Sequence, residues 1–87
     1  MLNKDIEIIN KLGLHARAAA KLVKLASGFE SNIEIEKDEQ RVNAKSIMGV
    51  MMLAASRGNT ITVFVEGVDE VAAMDQVEAL ILSLIHI

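Results

Sequence analysis

Three stretches of this chain alternate polar and apolar residues with a period of two: Asn32-Ile33-Glu34-Ile35-Glu36-Lys37, Gln40-Arg41-Val42-Asn43-Ala44 and Thr60-Ile61-Thr62-Val63-Phe64-Val65-Glu66. Successive strand side chains point to opposite faces, so each stretch offers one apolar face and leaves the other to water. That pattern excludes a parallel sheet covered on both sides, whose strands read as continuous apolar runs. Any helices must therefore share one face of the sheet. Asp38-Glu39 supplies a turn between the first two stretches, which predicts a hairpin with Ile33, Ile35, Val42 and Ala44 inward. The third strand points Ile61, Val63 and Val65 the same way. A further strand is predicted from Asp5 to Ile9, with Ile6 and Ile8 toward the core and Glu7 toward water.

Between the strands the period changes. Ala16 to Ser27 combines strong helix formers with Ala19, Leu22, Val23 and Ala26 on one face, and Gly28 is placed to end the helix as a left-handed residue. Ser46 is a suitable N-cap for the apolar run Ile47-Met48-Gly49-Val50-Met51-Met52-Leu53-Ala54-Ala55, which Arg57-Gly58 stops. Val50, Leu53 and Ala54 share one face of that run, leaving Met48, Met51 and Met52 to point elsewhere with Ile47 at the edge. A short helix on a small sheet cannot bury every side, so a partly exposed methionine patch suited to docking is expected. Asp69 is placed to cap a last helix reaching about Leu84, with Ala73, Met74, Val77, Leu80, Ile81 and Leu84 on its inner side. The order of elements is β-α-β-β-α-β-α, an α+β arrangement with its helices on one face of the sheet. The apolar end from Ser83 to Ile87 is left unassigned, and His86 within it, lacking a partner motif, reads as non-functional.

Size and charge exclude several functions. A chain of 87 residues reads as one domain over its whole length, burying about 60 to 65 per cent of its unfolded surface, with a single core and no deep cleft. A carrier or binding module suits that size better than an enzyme with its own pocket. The net charge is −3, with no tryptophan or tyrosine and no dense Lys/Arg cluster, which argues against nucleic acid as partner. There is no cysteine for disulfides or thiolate metal sites, and no metal or cofactor is expected. No apolar run approaches the length of a bilayer span and no signal-like segment opens the chain, so a soluble, cytoplasmic protein without membrane insertion is expected.

The chemistry concentrates at Asn10-Lys11-Leu12-Gly13-Leu14-His15-Ala16-Arg17. His15 stands where a strand has ended and a helix begins, beside backbone N–H groups that lack intrahelical acceptors and carry the positive end of the helix dipole. Imidazole titrates near neutrality, so a neutral His15 can attack with one nitrogen while the other is held. Phosphorus is the fitting electrophile, and Arg17 adds a guanidinium for phosphoryl oxygens. A lone histidine before a helix is by itself more often a plain cap or surface residue. Arg17, Lys21 and Lys24 fall at i, i+4 and i+7, a basic stripe that is either a solvated face or a match for an acidic partner.

Two of these stretches resemble signatures of the HPr family, the histidine phosphocarrier proteins of the bacterial phosphoenolpyruvate-dependent sugar phosphotransferase system. Lys11 to Arg17 is similar to the family's active-site signature, and Asn43-Ala44-Lys45-Ser46-Ile47-Met48-Gly49-Val50-Met51 to its regulatory serine signature; the likeness runs to about Ile81. The resemblance implies an open-faced β-sandwich of four antiparallel strands with three helices on one face, and a carrier rather than an enzyme. His15 is implied to accept a phosphoryl group from phosphorylated enzyme I and pass it to IIA domains in sugar uptake and regulation, with Arg17 steadying the group. Ser46 is implied as the target of an HPr kinase/phosphorylase in members with that control. Ala16, Lys21, Lys24, Ile47, Met48 and Met51 are expected to form the docking surface of a monomer. One departure stands out: the family very often has proline after the arginine, and here the residue is Ala18, which leaves its N–H in place and the first turn less rigid. The alternatives are a carrier of the nitrogen-related phosphotransfer branch and a regulatory docking module without transfer.

Overall fold

In the computed structural model, which describes residues 1–9, 11–53 and 55–83, seven elements follow in the expected order. They are β1 (Leu2–Glu7), α1 (Ala16–Ser27), β2 (Asn32–Lys37), β3 (Gln40–Asn43), α2 (Ile47–Met52), β4 (Thr60–Glu66) and α3 (Glu70–Ser83). The strands form one sheet in the order β1-β4-β2-β3, with every neighbouring pair antiparallel. The three helices pack on one face of this open sheet. Asn10, Ala54 and Leu84 to Ile87, and with them the expectations placed on Leu84 and His86, lie outside the described residues.

The period-two residues fill the core as expected. Ile33, Ile35, Ile61, Val63 and Val65 are buried beneath Leu22 and Ala26 of α1, Val50 of α2 and Val77 and Ile81 of α3. Val42, at the sheet edge, is partly buried. On the opposite face Phe64 points outward, and Arg41 covers it, its guanidinium 3.8 Å from the ring centroid while its Nε donates to Glu34 Oε1 at 2.8 Å. The stacked guanidinium shields the ring from water at little desolvation cost. The hairpin turn places Asp38 and Glu39 at φ 52° and 69°, the left-handed pair that a two-residue loop needs to match strand twist.

The first strand and the second helix differ from the sequence reading in their bounds, and the first helix in how it ends. The first strand begins at Leu2, not Asp5, and ends at Glu7. Lys4 shares the inward parity of Ile6 and so breaks the apolar pattern, but its side chain stays exposed and its Nζ reaches Glu78 of α3 at 2.8 Å. Helix α1 ends as expected at Ser27, yet Gly28 is right-handed, at φ −79°. The last turn tightens instead, with Gly28 N–H bonding Leu25 O at 3.1 Å and Phe29 N–H bonding Ala26 O at 3.2 Å. Helix α2 stops at Met52, short of Ala55, whose carbonyl is occupied by Leu14 N–H at 2.9 Å. The third helix runs from Glu70 to Ser83.

Asp69 does head α3, its carbonyl accepting Ala73 N–H at 2.9 Å, but its carboxylate is used elsewhere. It accepts from the N–H groups of Glu30 and Ser31, each at 3.0 Å, and from the Ser31 hydroxyl, tying the entry of β2 to the start of α3. The hydroxyl of Ser31, followed by the Glu30 amide, holds the Asp69 carboxyl below the usual carboxylate range. A depressed folded-state pKa adds stability above the unfolded pKa and loses it as pH falls through the folded value. Asp69→Asn is therefore expected to lower the melting temperature at neutral pH, with the gap to the unsubstituted chain closing below about pH 4. Melting curves at several pH values check this; a gap independent of pH counts against the ionised carboxylate as the cause.

Candidate functional site

Gly13 turns the chain into the site at φ +63°, and Leu14 anchors it by burying its side chain in the core. The backbone packs closely here. A Cβ on Gly13 would stand 2.5 Å from Ala55 O and 2.7 Å from Ser56 Cα, so only glycine fits the approach as well as the dihedral.

His15 is the N-cap residue of α1, extended at φ −70° and ψ 177°. Its carbonyl accepts Ala19 N–H at 2.8 Å, while its side chain makes no cap hydrogen bond and the first turn of α1 has no acidic residue. The positive end of the helix thus lacks a built-in counter-charge. The imidazole is half-buried, and its Nε2 is enclosed with no hydrogen-bond partner among the described residues. Ala16 and Arg17 are exposed, and Arg17 holds no hydrogen bond or ion pair among the described residues. Ala18 is fully buried, where its methyl packs into the core beneath the site.

Ser46 caps α2 as expected, its Oγ accepting Gly49 N–H at 3.1 Å. Its own N–H bonds Asn43 O at 3.0 Å, and the Asn43 side chain takes Lys45 N–H at 2.8 Å. Beyond it Ile47, Met48, Met51 and Met52 are 41, 67, 44 and 65% exposed, so the methionine patch is open to solvent. Helix α1 packs against α2, which makes this patch a neighbour of the helix that carries His15. Lys21 and Lys24 are exposed on α1 and stand at an open hollow of about 530 Å³ floored by Leu25, Gly28, Phe29 and Leu80. That hollow has none of His15, Arg17 and Ser46 in its lining. Among the described residues no group of His, Cys, Asp and Glu is placed to hold a metal ion, and no helix is long and apolar enough to cross a membrane.

The sequence reading missed the support beneath the loop. Ala55, Ser56 and Asn59 bear on Gly13 and Ile8, whereas Arg57-Gly58 reads only as a helix stop. Leu12 and Met52, both strongly exposed, extend the apolar surface beyond the residues singled out for docking.

The family model described as the PTS HPr component phosphorylation site matches residues 2–83. The chain belongs to the HPr family. It is 57% identical over 81 residues to a phosphocarrier protein HPr of Cupriavidus necator, covering 93% of this chain and 91% of that one. A phosphocarrier protein NPr of Shewanella violacea is 46% identical over 80 residues, covering 92 and 88%. Among solved structures, HPr-C-His from Thermoanaerobacter tengcongensis matches with a TM-score of 0.95 at 49% identity, covering 100% of this chain and 98% of that one. The open-faced β-α-β-β-α-β-α arrangement is thus that of HPr structures, and the general role is that of an HPr phosphocarrier of the phosphotransferase system, a carrier and not a catalyst.

Proposed function

We propose that His15 is the phosphoryl acceptor of this HPr, charged by phosphorylated enzyme I and discharged to IIA domains in sugar uptake and regulation. The observation that carries this is the placement of His15 at the uncapped, acid-free N-terminus of α1. With Nε2 enclosed, the lone pair of Nδ1 is the one left to form the N–P bond as the donor's bond to phosphorus breaks. Phosphoryl transfer asks mainly for positioning and charge stabilisation. The amides opening α1 and the exposed Arg17 meet the equatorial oxygens, and discharge to the next protein reverses the same geometry. Ala16, Lys21, Lys24, Ile47, Met48 and Met51 form the docking surface, basic on α1 and apolar on α2, for enzyme I and IIA partners in turn. A cytoplasmic monomer suits a carrier that must meet several proteins.

Incubation with phosphoenolpyruvate and enzyme I, followed by intact-mass detection, tests this reading. One acid-labile phosphate per chain is expected. No phosphate, with an enzyme I competent on another HPr, leaves a docking module that works through the methionine patch alone. The likeness to NPr supports a second reading, a carrier of the nitrogen-related branch; competition between enzyme I and its nitrogen-branch counterpart as donors separates the two.

Ser46 is proposed as the regulatory site, modified by an HPr kinase/phosphorylase. A phosphate there adds nearly two negative charges beside an exposed apolar patch. Because among the described residues Ser46 Oγ acts only as an acceptor for Gly49 N–H, phosphoryl oxygens can keep that role and the fold survives. Binding to enzyme I is expected to weaken about tenfold, through like-charge repulsion and desolvation at the interface. Calorimetric titration of the phosphorylated and unmodified chains measures this; equal affinities reject the role.

A further inference from the structure

Both ends of the loop that leads to His15 are fastened to the same short segment, residues 55–59. At the exit of β1, Ile8 donates its N–H to Asn59 O at 2.8 Å and accepts Gly58 N–H at 2.9 Å. At the other end Leu14, next to His15, donates to Ala55 O at 2.9 Å, and Gly13 lies flat against Ala55 and Ser56. The position of His15 is therefore referred to the shape of that segment.

One side chain sets the shape. Asn59 Oδ1 accepts both the N–H of Ser56 at 2.8 Å and its hydroxyl at 3.0 Å, while Asn59 N–H donates to Ser56 O at 2.9 Å. These bonds close a four-residue turn with Gly58 in third position at φ +92°, where a positive dihedral is required of a type II turn. Arg57 and Gly58 are exposed at its tip, so the turn is held by the backbone bond from Asn59 to Ser56, by this carboxamide oxygen and by its two attachments to the loop.

We propose that Asn59 is a positioning residue for phosphoryl transfer: its Oδ1 fixes the 56–59 turn against which Gly13 and Leu14 set His15. The inference rests on the reading of His15 as the acceptor. Transfer rates respond steeply to small displacements of a reacting atom. Ser56 is exposed, so water can replace the lost acceptor, and removal of the carboxamide loosens the turn without unfolding the chain.

Among the described residues only the oxygen of the carboxamide is used, which separates two variants. Asn59→Asp keeps an acceptor for both Ser56 donors; Asn59→Ala does not. In the full chain, with phosphoenolpyruvate and enzyme I, Asn59→Ala is expected to reach the same final phosphorylation but about tenfold more slowly. The loss should fall on the maximal rate rather than on the concentration giving half of it, and Asn59→Asp should recover the rate to within about twofold. The His15 ring resonances in ¹H–¹⁵N spectra should move in the alanine variant and return in the aspartate variant. Wild-type rate and unchanged His15 resonances in Asn59→Ala overturn the proposal, as does an aspartate variant as slow as the alanine one. If Asn59→Ala does not fold, Ser56→Ala removes one of the two donors to Oδ1, and unmoved His15 resonances there overturn it equally. Failure of the unsubstituted chain to take phosphate refutes the carrier reading instead, and the spectra still decide whether Asn59 positions the ring.

Discussion

Replacing His15 by alanine is expected to abolish phosphoryl uptake from enzyme I while leaving the fold in place. The two effects separate because the histidine contributes to structure through its backbone. Its carbonyl, which accepts Ala19 N–H, is unchanged by the substitution, and its side chain makes no cap bond to lose. The usual cost of removing an N-cap side chain therefore does not apply. Truncation even removes an enclosed Nε2 that has no partner among the described residues, a buried polar atom of the kind that costs stability. The melting temperature should stay within a few degrees, corresponding to less than about 1 kcal/mol. Intact-mass spectra after incubation with phosphoenolpyruvate and enzyme I give the functional readout. Retention of an acid-labile phosphate in the variant would place the acceptor elsewhere, with His86 the remaining histidine to test.

Gly13→Ala is expected to damage both stability and transfer. The added methyl meets two obstacles at once: a φ of +63° and a backbone carbonyl only 2.5 Å from the new Cβ. A left-handed dihedral in a non-glycine residue costs about 1 kcal/mol or more, and forcing apart a packed contact adds about 1 to 3. The obstructing atoms are backbone, so no side-chain rotation relieves them. A loss of about 2 to 4 kcal/mol follows, which for a chain of this size lowers the melting temperature by about 8 to 30 °C. The loop must also lift from Ala55 and Ser56, carrying His15 with it, so phosphorylation slows even at temperatures where the variant is folded. Denaturant melts and initial transfer rates on one preparation separate these effects. A variant within about 0.5 kcal/mol of the unsubstituted chain would show that the loop is not held against this segment in solution.

The sheet was legible because period two is unambiguous when one face is buried and the other wet, as at Ile33, Ile35, Ile61, Val63 and Val65. The start of β1 was not, because Lys4 occupies an inward position yet stays exposed and reaches Glu78. That solution depends on α3, far along the chain. Ser46 was readable as a cap since capping is local chemistry. Asp69 looked equally local, but its carboxylate serves Glu30 and Ser31, a contact that no spacing rule encodes. Likewise His15 announced itself through its neighbours Gly13 and Arg17, while Asn59 acts on the site through tertiary hydrogen bonds, and nothing in a Ser-Arg-Gly-Asn turn points to a histidine some forty residues earlier.

The strand order β1-β4-β2-β3 also sets a timetable for folding. Of the three pairings, only β2 with β3 joins strands adjacent in the chain; Leu2 must find Val65, and Asn32 must find Glu66. One of the two inner strands, β4, is thus the last strand made. A nascent chain emerging from the ribosome can close the hairpin early, since that is a microsecond event, but both remaining pairings wait for residues 60–66. Cooperative folding is therefore postponed until most of the chain has been synthesised, and such nonlocal pairing slows it further once it begins.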